Sequence, residues 1–192
     1  MRKSFFILVL VAGFAAQLEA QEANKFRLDL GLGYAIPSSG GGGVLFNFEP
    51  KWTLNEKMNV GIRLGVAAYG RDLGSLSNNT IEVGANASYI GTYDYYFHNG
   101  TSSFAPFVGG GAGFYQVASA SIGNSNTVGT DGKLGGMLRA GFDVGKFRVA
   151  AEYNFIGKSD VIDLNNQVLG TSENGYFGIS IGAYFGGGKW GK

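Results

Sequence analysis

Between positions 25 and 185 the chain alternates apolar side chains with small or polar ones, and the rhythm breaks only at turn-like stretches. A two-residue period marks strands with two unlike faces. It recurs in eight segments: 25–36, 44–53, 58–71, 80–97, 104–118, 133–144, 147–155 and 175–185. In the first, Phe26, Leu28, Leu30, Leu32, Tyr34 and Ile36 share one face, and Arg27, Asp29, Gly31, Gly33 and Ala35 the other. No helical period competes with this pattern.

The sharpest register is legible in 133–155. Gly145-Lys146 reads as a two-residue turn with Gly first, which suits a type II′ hairpin. Folding there sets Asp143 opposite Arg148 and Arg139 opposite Glu152 on one face. On the other face Val144 meets Phe147, Phe142 meets Val149 and Leu138 meets Tyr153. One face thus carries opposite-charge pairs and the other is wholly apolar.

Connections alternate in length along the chain. Short ones fall near 54–57, 98–103 and 145–146; longer ones, rich in Gly, Ser, Asn, Asp and Thr, fall at 37–43, 72–79, 119–132 and 158–173. An even strand number with short turns at one rim and long loops at the other is the pattern of an outer-membrane barrel. The 34 Gly residues against only 3 Pro fit a tightly curved sheet, and 45% apolar content excludes generic disorder. With no Cys, the chain has no disulfide frame, thiol nucleophile or lipoprotein anchor.

The N-terminus reads as a secretory signal. Arg2 and Lys3 precede an apolar run from Phe5 to Ala16, and cleavage is expected after Ala20. The expected organisation is therefore a signal peptide, 1–20, followed by one barrel domain, 21–192. Removing Arg2, Lys3 and Glu19 leaves equal numbers of basic and acidic residues, so no nucleic-acid partner is expected.

Two closed barrels fit eight antiparallel strands. A lipocalin-like cup would put the apolar face inside around a small hydrophobic ligand, and a membrane barrel would put it against lipid. The apolar set is large and aromatic-rich, whereas the other is dominated by Gly, Ala, Ser and Asn. Eight strands leave an interior just wide enough for side chains, so the small set is expected inside. Aromatics group towards both strand ends: Phe26, Trp52, Tyr93, Tyr95, Phe104 and Phe142 at the short-turn rim, Tyr34, Phe46, Phe114 and Tyr153 at the other. Two such girdles belong at membrane interfaces.

The inward face then carries Arg27, Lys51, Arg63, Arg71, Arg139 and Arg148 with Asp29, Glu49, Glu82, Asp94, Asp143 and Glu152. Buried charges must be paired or they are very costly. A salt-bridged lumen that plugs the barrel is expected; the alternative is a gated ion path, since charged interiors also line pores.

The signal peptide, the eight strands, the Pro-Phe-Val-Gly-Gly-Gly-Ala-Gly-Phe stretch at 106–114, Ala-Glu-Tyr at 151–153 and a last strand ending in Phe185 together resemble the small outer-membrane β-barrel family, typified by OmpA's membrane domain and OmpX. The resemblance covers the whole mature chain and implies an all-β, eight-stranded, antiparallel, up-and-down transmembrane barrel with short periplasmic turns and longer extracellular loops. It departs from that family at the C-terminus, where GGGKWGK follows the aromatic that assembly machinery reads.

The implied partners are outer-membrane lipid, the barrel-assembly machinery through the last strand, and a surface or host ligand through loops 119–132 and 158–173; a monomer is expected. No cofactor, metal or catalytic group is expected. His98, the one histidine, sits in a short turn, at the rim opposite to that used by lipid-modifying barrels. The glycines at 109–111 lack the Lys and helix of a phosphate loop, and Asp160, Asp163, Asn165 and Asn166 lack calcium-loop spacing. The expected function is a non-enzymatic, plugged outer-membrane barrel with a structural or surface-interaction role. The alternatives are a narrow pore, a lipid-modifying enzyme and a soluble carrier.

Overall fold

A computed structural model describes residues 25–38, 40–71, 81–97, 102–122, 127–162 and 168–187. The expected signal sequence, residues 1–20, and His98 lie outside the described residues. The alternating segments become β1 (Phe26–Pro37), β2 (Gly42–Asn55), β3 (Met58–Arg71), β4 (Ile81–Tyr96), β5 (Phe104–Ile122), β6 (Thr127–Val144), β7 (Phe147–Ile156) and β10 (Tyr176–Gly186). Two short strands, β8 (Ser159–Ile162) and β9 (Val168–Ser172), lie between β7 and β10 and form a separate two-stranded sheet.

The eight wall strands close in the order β1-β10-β7-β6-β5-β4-β3-β2. Each pairs antiparallel with its chain neighbour, and β1 pairs with β10 from Arg27↔Gly186 to Pro37↔Tyr176. Closure leaves no wall strand with an unpaired edge along the barrel. The β6–β7 register is the one read from the turn: Val144↔Phe147, Asp143↔Arg148, Arg139↔Glu152 and Met137↔Asn154 are partners. Gly145 has φ +60°, the left-handed backbone that such a turn needs at its first position.

Faces alternate with the same period. On β2, Leu45, Asn47, Glu49 and Lys51 are buried while Val44, Phe46 and Trp52 are exposed. Outward aromatics pair edge to face across strands at the short-turn rim, as in Phe26–Trp52 with ring centroids 6.2 Å apart. Tyr153 and Phe155, neighbours on the outer face of β7, meet edge to face with centroids 4.6 Å apart towards the other rim.

Two expectations are corrected. The stretch 119–132 is not an open loop: Ser119↔Gly129, Ala120↔Val128 and Ser121↔Thr127 continue the β5–β6 ladder. Backbone pairing needs no apolar face, so the ladder runs on past the point where alternation fades. The stretch 158–173 likewise contains the β8–β9 ribbon, with Ser159↔Ser172 and Asp160↔Thr171 as partners. Asp160 is therefore a ribbon residue, while Asp163, Asn165 and Asn166 lie outside the described residues.

The interior also differs from a lumen filled by small residues. Tyr69, Tyr96, Phe107, Tyr115, Tyr176 and Tyr184 all point inward and are buried. They fit because glycines on facing or adjacent strands leave them room. A Cβ on Gly135 would lie 2.8 Å from the Tyr115 ring, and one on Gly141 would lie 2.9 Å from the Phe107 ring.

The closing seam has its own glycine constraint. A Cβ on Gly33 would lie 2.8 Å from the Cα of Ser180, backbone that cannot move without opening the β1–β10 ladder. Gly33→Val is expected to destabilise the barrel by about 1–3 kcal/mol, as overpacked sites do. Gly70→Ala, which meets nothing within 4 Å, should stay within ~0.5 kcal/mol. Urea unfolding in detergent, followed by tryptophan fluorescence, compares the two.

Candidate functional site

The lumen is filled in tiers. Nearest the short-turn rim lies an aromatic floor. Tyr96 and Phe107 pack with centroids 5.5 Å apart, and the Tyr184 hydroxyl donates to the Gly145 carbonyl at 2.6 Å. The Arg27 guanidinium lies 3.5 Å from the Tyr184 ring centroid, and that of Arg148 lies 3.7 Å from the Phe107 centroid. Both are close enough for cation–π attraction.

Next comes an ion-pair network. Asp94 on β4 is its hub. Arg139 donates to it from Nε and Nη2 at 2.7 and 2.9 Å, Lys51 Nζ at 2.8 Å and Arg148 Nη2 at 3.0 Å. Arg139 also grips Glu49 with two bonds of 2.7 Å, and Thr92 donates to the same carboxylate at 2.6 Å. Arg27 pairs with Asp29 through Nε and Nη2 and reaches Asp143 at 2.6 Å. Lys51 Nζ also lies 2.8 Å from Asp29.

Towards the other rim Arg63 and Glu152 form a two-bond pair of 2.6 and 2.7 Å. Asn154 supports that carboxylate at 3.0 Å. Arg27, Lys51, Arg63, Arg139 and Arg148 face Asp29, Glu49, Asp94, Asp143 and Glu152, so the buried charges cancel. Arg71 and Glu82 are backbone partners on β3 and β4, with side chains outside the described set.

Partner choice differs from the neighbour-strand pairing expected for the β6–β7 hairpin. Arg139 is the Cα partner of Glu152 but bonds Glu49 and Asp94, while Glu152 takes Arg63 of β3. Asp143 and Arg148 come no closer than 3.7 Å, and Asp143 is held by Arg27. The reason is reach. In a closed barrel a long guanidinium extends across the lumen, where it meets two carboxylates rather than one. Planar two-bond pairing rewards that geometry.

Between these charges lies a cavity of about 20 Å³, bordered by Asp29, Glu49, Arg63, Arg139, Ser180 and Gly182. That is room for roughly one water molecule.

Against the Arg63–Glu152 pair, with Arg63 donating to Met137 Sδ at 2.8 Å, lies an apolar tier, a feature that the alternation alone does not reveal. It takes one or two buried side chains from every wall strand: Ala35, Leu45, Ala67 with Tyr69, Ile90, Tyr115 with Val117, Met137, Ile156 and Tyr176. Several of its polar atoms are bonded, while Asn86 Oδ1 is buried without a hydrogen-bond partner. The Tyr115 hydroxyl donates to Asn154 at 2.9 Å, and Asn86 donates to the Tyr69 hydroxyl at 2.7 Å. Residues 173–175 fold back over this mouth. Asn174 is buried and donates to the Gly157 carbonyl at 2.6 Å, and the Gly175 carbonyl accepts from Ser38 N–H at 2.9 Å. The signal available in the sequence was an inward Leu45, Ile90 and Met137 at comparable strand positions.

Among the described residues no group of acidic side chains or histidines is placed to hold a metal ion. The energetic content of the ion pairs is large, because removing one member of a buried pair strands the other. Arg63→Leu is expected to cost roughly 3–5 kcal/mol, whereas Arg63→Leu with Glu152→Leu should cost far less than the sum of the single changes. A double-mutant cycle from urea unfolding in detergent measures this coupling.

No protein-family model and no curated protein matches the chain in sequence. Solved structures match in shape. The outer membrane protein OprG from Pseudomonas aeruginosa has a TM-score of 0.50 and 14% identity, over 84% of this chain and 96% of that one. Neisserial surface protein A matches with a TM-score of 0.49 and 15% identity, over 85% of this chain and 97% of that one. The N-terminal β-barrel domain of Pseudomonas aeruginosa OprF matches with 0.47 and 16%, over 86% and 100%. With its closed meander of eight antiparallel strands, the chain has the fold of the small outer-membrane β-barrels.

Proposed function

We propose that this chain is a non-enzymatic outer-membrane protein whose eight wall strands cross the bilayer around a plugged lumen. Its tasks would be structural support and surface interaction at the long-loop rim. One observation carries the reading: the wall is inverted. Leu32, Val44, Ile62, Leu138 and Ile181 are more than 60% exposed on the outside, while among the described residues ten charged side chains are buried inside. A continuous apolar belt of this extent has no place in water, and closure satisfies the backbone as lipid requires. Strands of 9–11 residues suffice to cross when tilted, and the shortest wall strands, β7 and β10, have 10 and 11.

The two rims then take different sides. Gly145-Lys146 and the other tight turns face the periplasm, with the signal peptide supplying export and β10 offering Phe185 to the assembly machinery. At the opposite rim, residues 127–134 of β6 run past Ile156, the last β7 residue paired with β6. At ~3.3 Å per residue they carry the hairpin tip roughly 25 Å along the strand beyond the β7 wall. That extension and the β8–β9 ribbon form the surface available to a ligand outside the cell.

Isolated outer membranes should contain a heat-modifiable species that needs detergent for extraction, and the purified barrel should be electrically silent in planar bilayers. Folded protein recovered without detergent would overturn the membrane assignment, and a stable open state passing small sugars would overturn the plug. Trimming 119–130 and 159–172 should leave heat-modifiability intact and abolish surface binding. Unchanged envelope and binding phenotypes would remove the interaction role.

A further inference from the structure

The two large lumen tiers are built differently, and the difference bears on which one stops water. The ion-pair tier is not a complete ring. Neither β5, FAPFVGGGAGFYQVASASI, nor β10, YFGISIGAYFG, contains a charged residue. At that level their inward positions are Gly109, which lies against the Asp94 carboxylate, on one wall and Ser180 and Gly182 on the other. The water-sized cavity opens against that second wall. Every charged group there can also exchange a protein partner for water, so a transient gap is solvated as soon as it forms.

The apolar tier has neither property. All eight wall strands contribute to it, and Leu45, Ile90, Tyr115 and Met137 are each no more than 2% exposed. Glycines on other strands leave room for its side chains. A Cβ on Gly178 would lie 2.9 Å from the Leu45 side chain, and one on Gly111 would lie 2.7 Å from that of Ile90. Leu45, Ile90, Ala35 and Ala67 in this layer offer water no hydrogen-bonding side chain, the condition under which hydrophobic constrictions gate by dewetting; the polar atoms beside them are the tyrosine hydroxyls, Asn86 and Arg63, which bonds Met137 Sδ at 2.8 Å.

We propose that the apolar tier centred on Leu45, Ile90 and Met137, and not the ion-pair tier, is the barrier that keeps the lumen closed to water and small ions. The ion pairs then hold the wall strands together and set barrel shape. This rests on the plugged-lumen reading above.

The test compares three purified, heat-modifiable barrels in planar bilayers in potassium chloride. Wild type should hold a silent baseline. Leu45→Ser with Ile90→Ser should lose it and show discrete opening steps. Arg139→Gln with Glu49→Gln, which removes one charge of each sign, should stay as silent as wild type. A folded double-serine barrel that remains silent would overturn the proposal, as would conductance in the Arg139/Glu49 variant with the apolar tier intact. Conductance in wild type would overturn the plugged lumen itself, a separate failure. Should the double-serine variant not fold, Leu45→Ala with Ile90→Ala removes the same cross-section without adding a polar group. The Arg139/Glu49 arm decides the contrary case independently.

Discussion

A carboxylate buried inside a closed eight-stranded barrel must be satisfied by neighbouring side chains, and Asp94 is held under that constraint. Arg139, Lys51 and Arg148, from three other strands, converge on it. Each cation in turn serves a second carboxylate: Arg139 serves Glu49, Lys51 serves Asp29, and Arg148 lies 3.3 Å from Asp29. The network is therefore satisfied only when β1, β2, β4, β6 and β7 all hold their places at once. A slip of one residue on any of them would turn its charges outwards and its apolar row inwards. In a protein with an apolar outer wall such a slip is doubly penalised, because charge would enter the apolar belt as it left the lumen. The ion pairs thus define register and barrel shape more than they add net stability, in keeping with the near-neutral exchange of buried pairs for packed apolar groups elsewhere.

The apolar half of the interior obeys a different rule, the matching of large residues to glycine. Tyr115 lies over Gly135, Phe107 over Gly141, Leu45 over Gly178 and Ile90 over Gly111. Lumen volume is fixed by strand number, so each ring or branched chain needs a missing side chain beside it. High glycine content is thereby a packing requirement of this interior, as well as a means of bending the wall. The same matching explains how six aromatics fit where volume alone had argued for small residues.

How much of the fold is legible in the sequence depends on how local each feature is. Alternation within β1, β2 and β3 assigned faces correctly, because inside and outside depend only on residue parity. The β6–β7 register was legible from Gly145-Lys146, because a two-residue turn leaves no freedom. The partners of Arg139 were not legible, since they depend on strands β2 and β4 brought near by closure and stagger. The apolar tier escaped for the same reason: Leu45, Ile90 and Met137 become one layer only when strands far apart in sequence are aligned. The continued β5–β6 ladder escaped for another. Ser119, Ala120 and Ser121 carry no apolar row, and only backbone hydrogen bonds mark them as strand.

That last failure points to a division of labour within the molecule. Below the level of Gly135 and Ile156 every wall residue answers to two demands, an apolar belt outside and a filled lumen inside. Above it the β5–β6 ladder still lends Tyr115 and Val117 to the apolar tier before it runs on as backbone pairing, and β8 and β9 pair as a separate ribbon. Residues 173–175 return the chain to the barrel, with Asn174 buried at the mouth and Gly175 bonded to Ser38. Connections held at the rim of a rigid scaffold are where binding roles concentrate in proteins generally, and the fold alone does not name a partner.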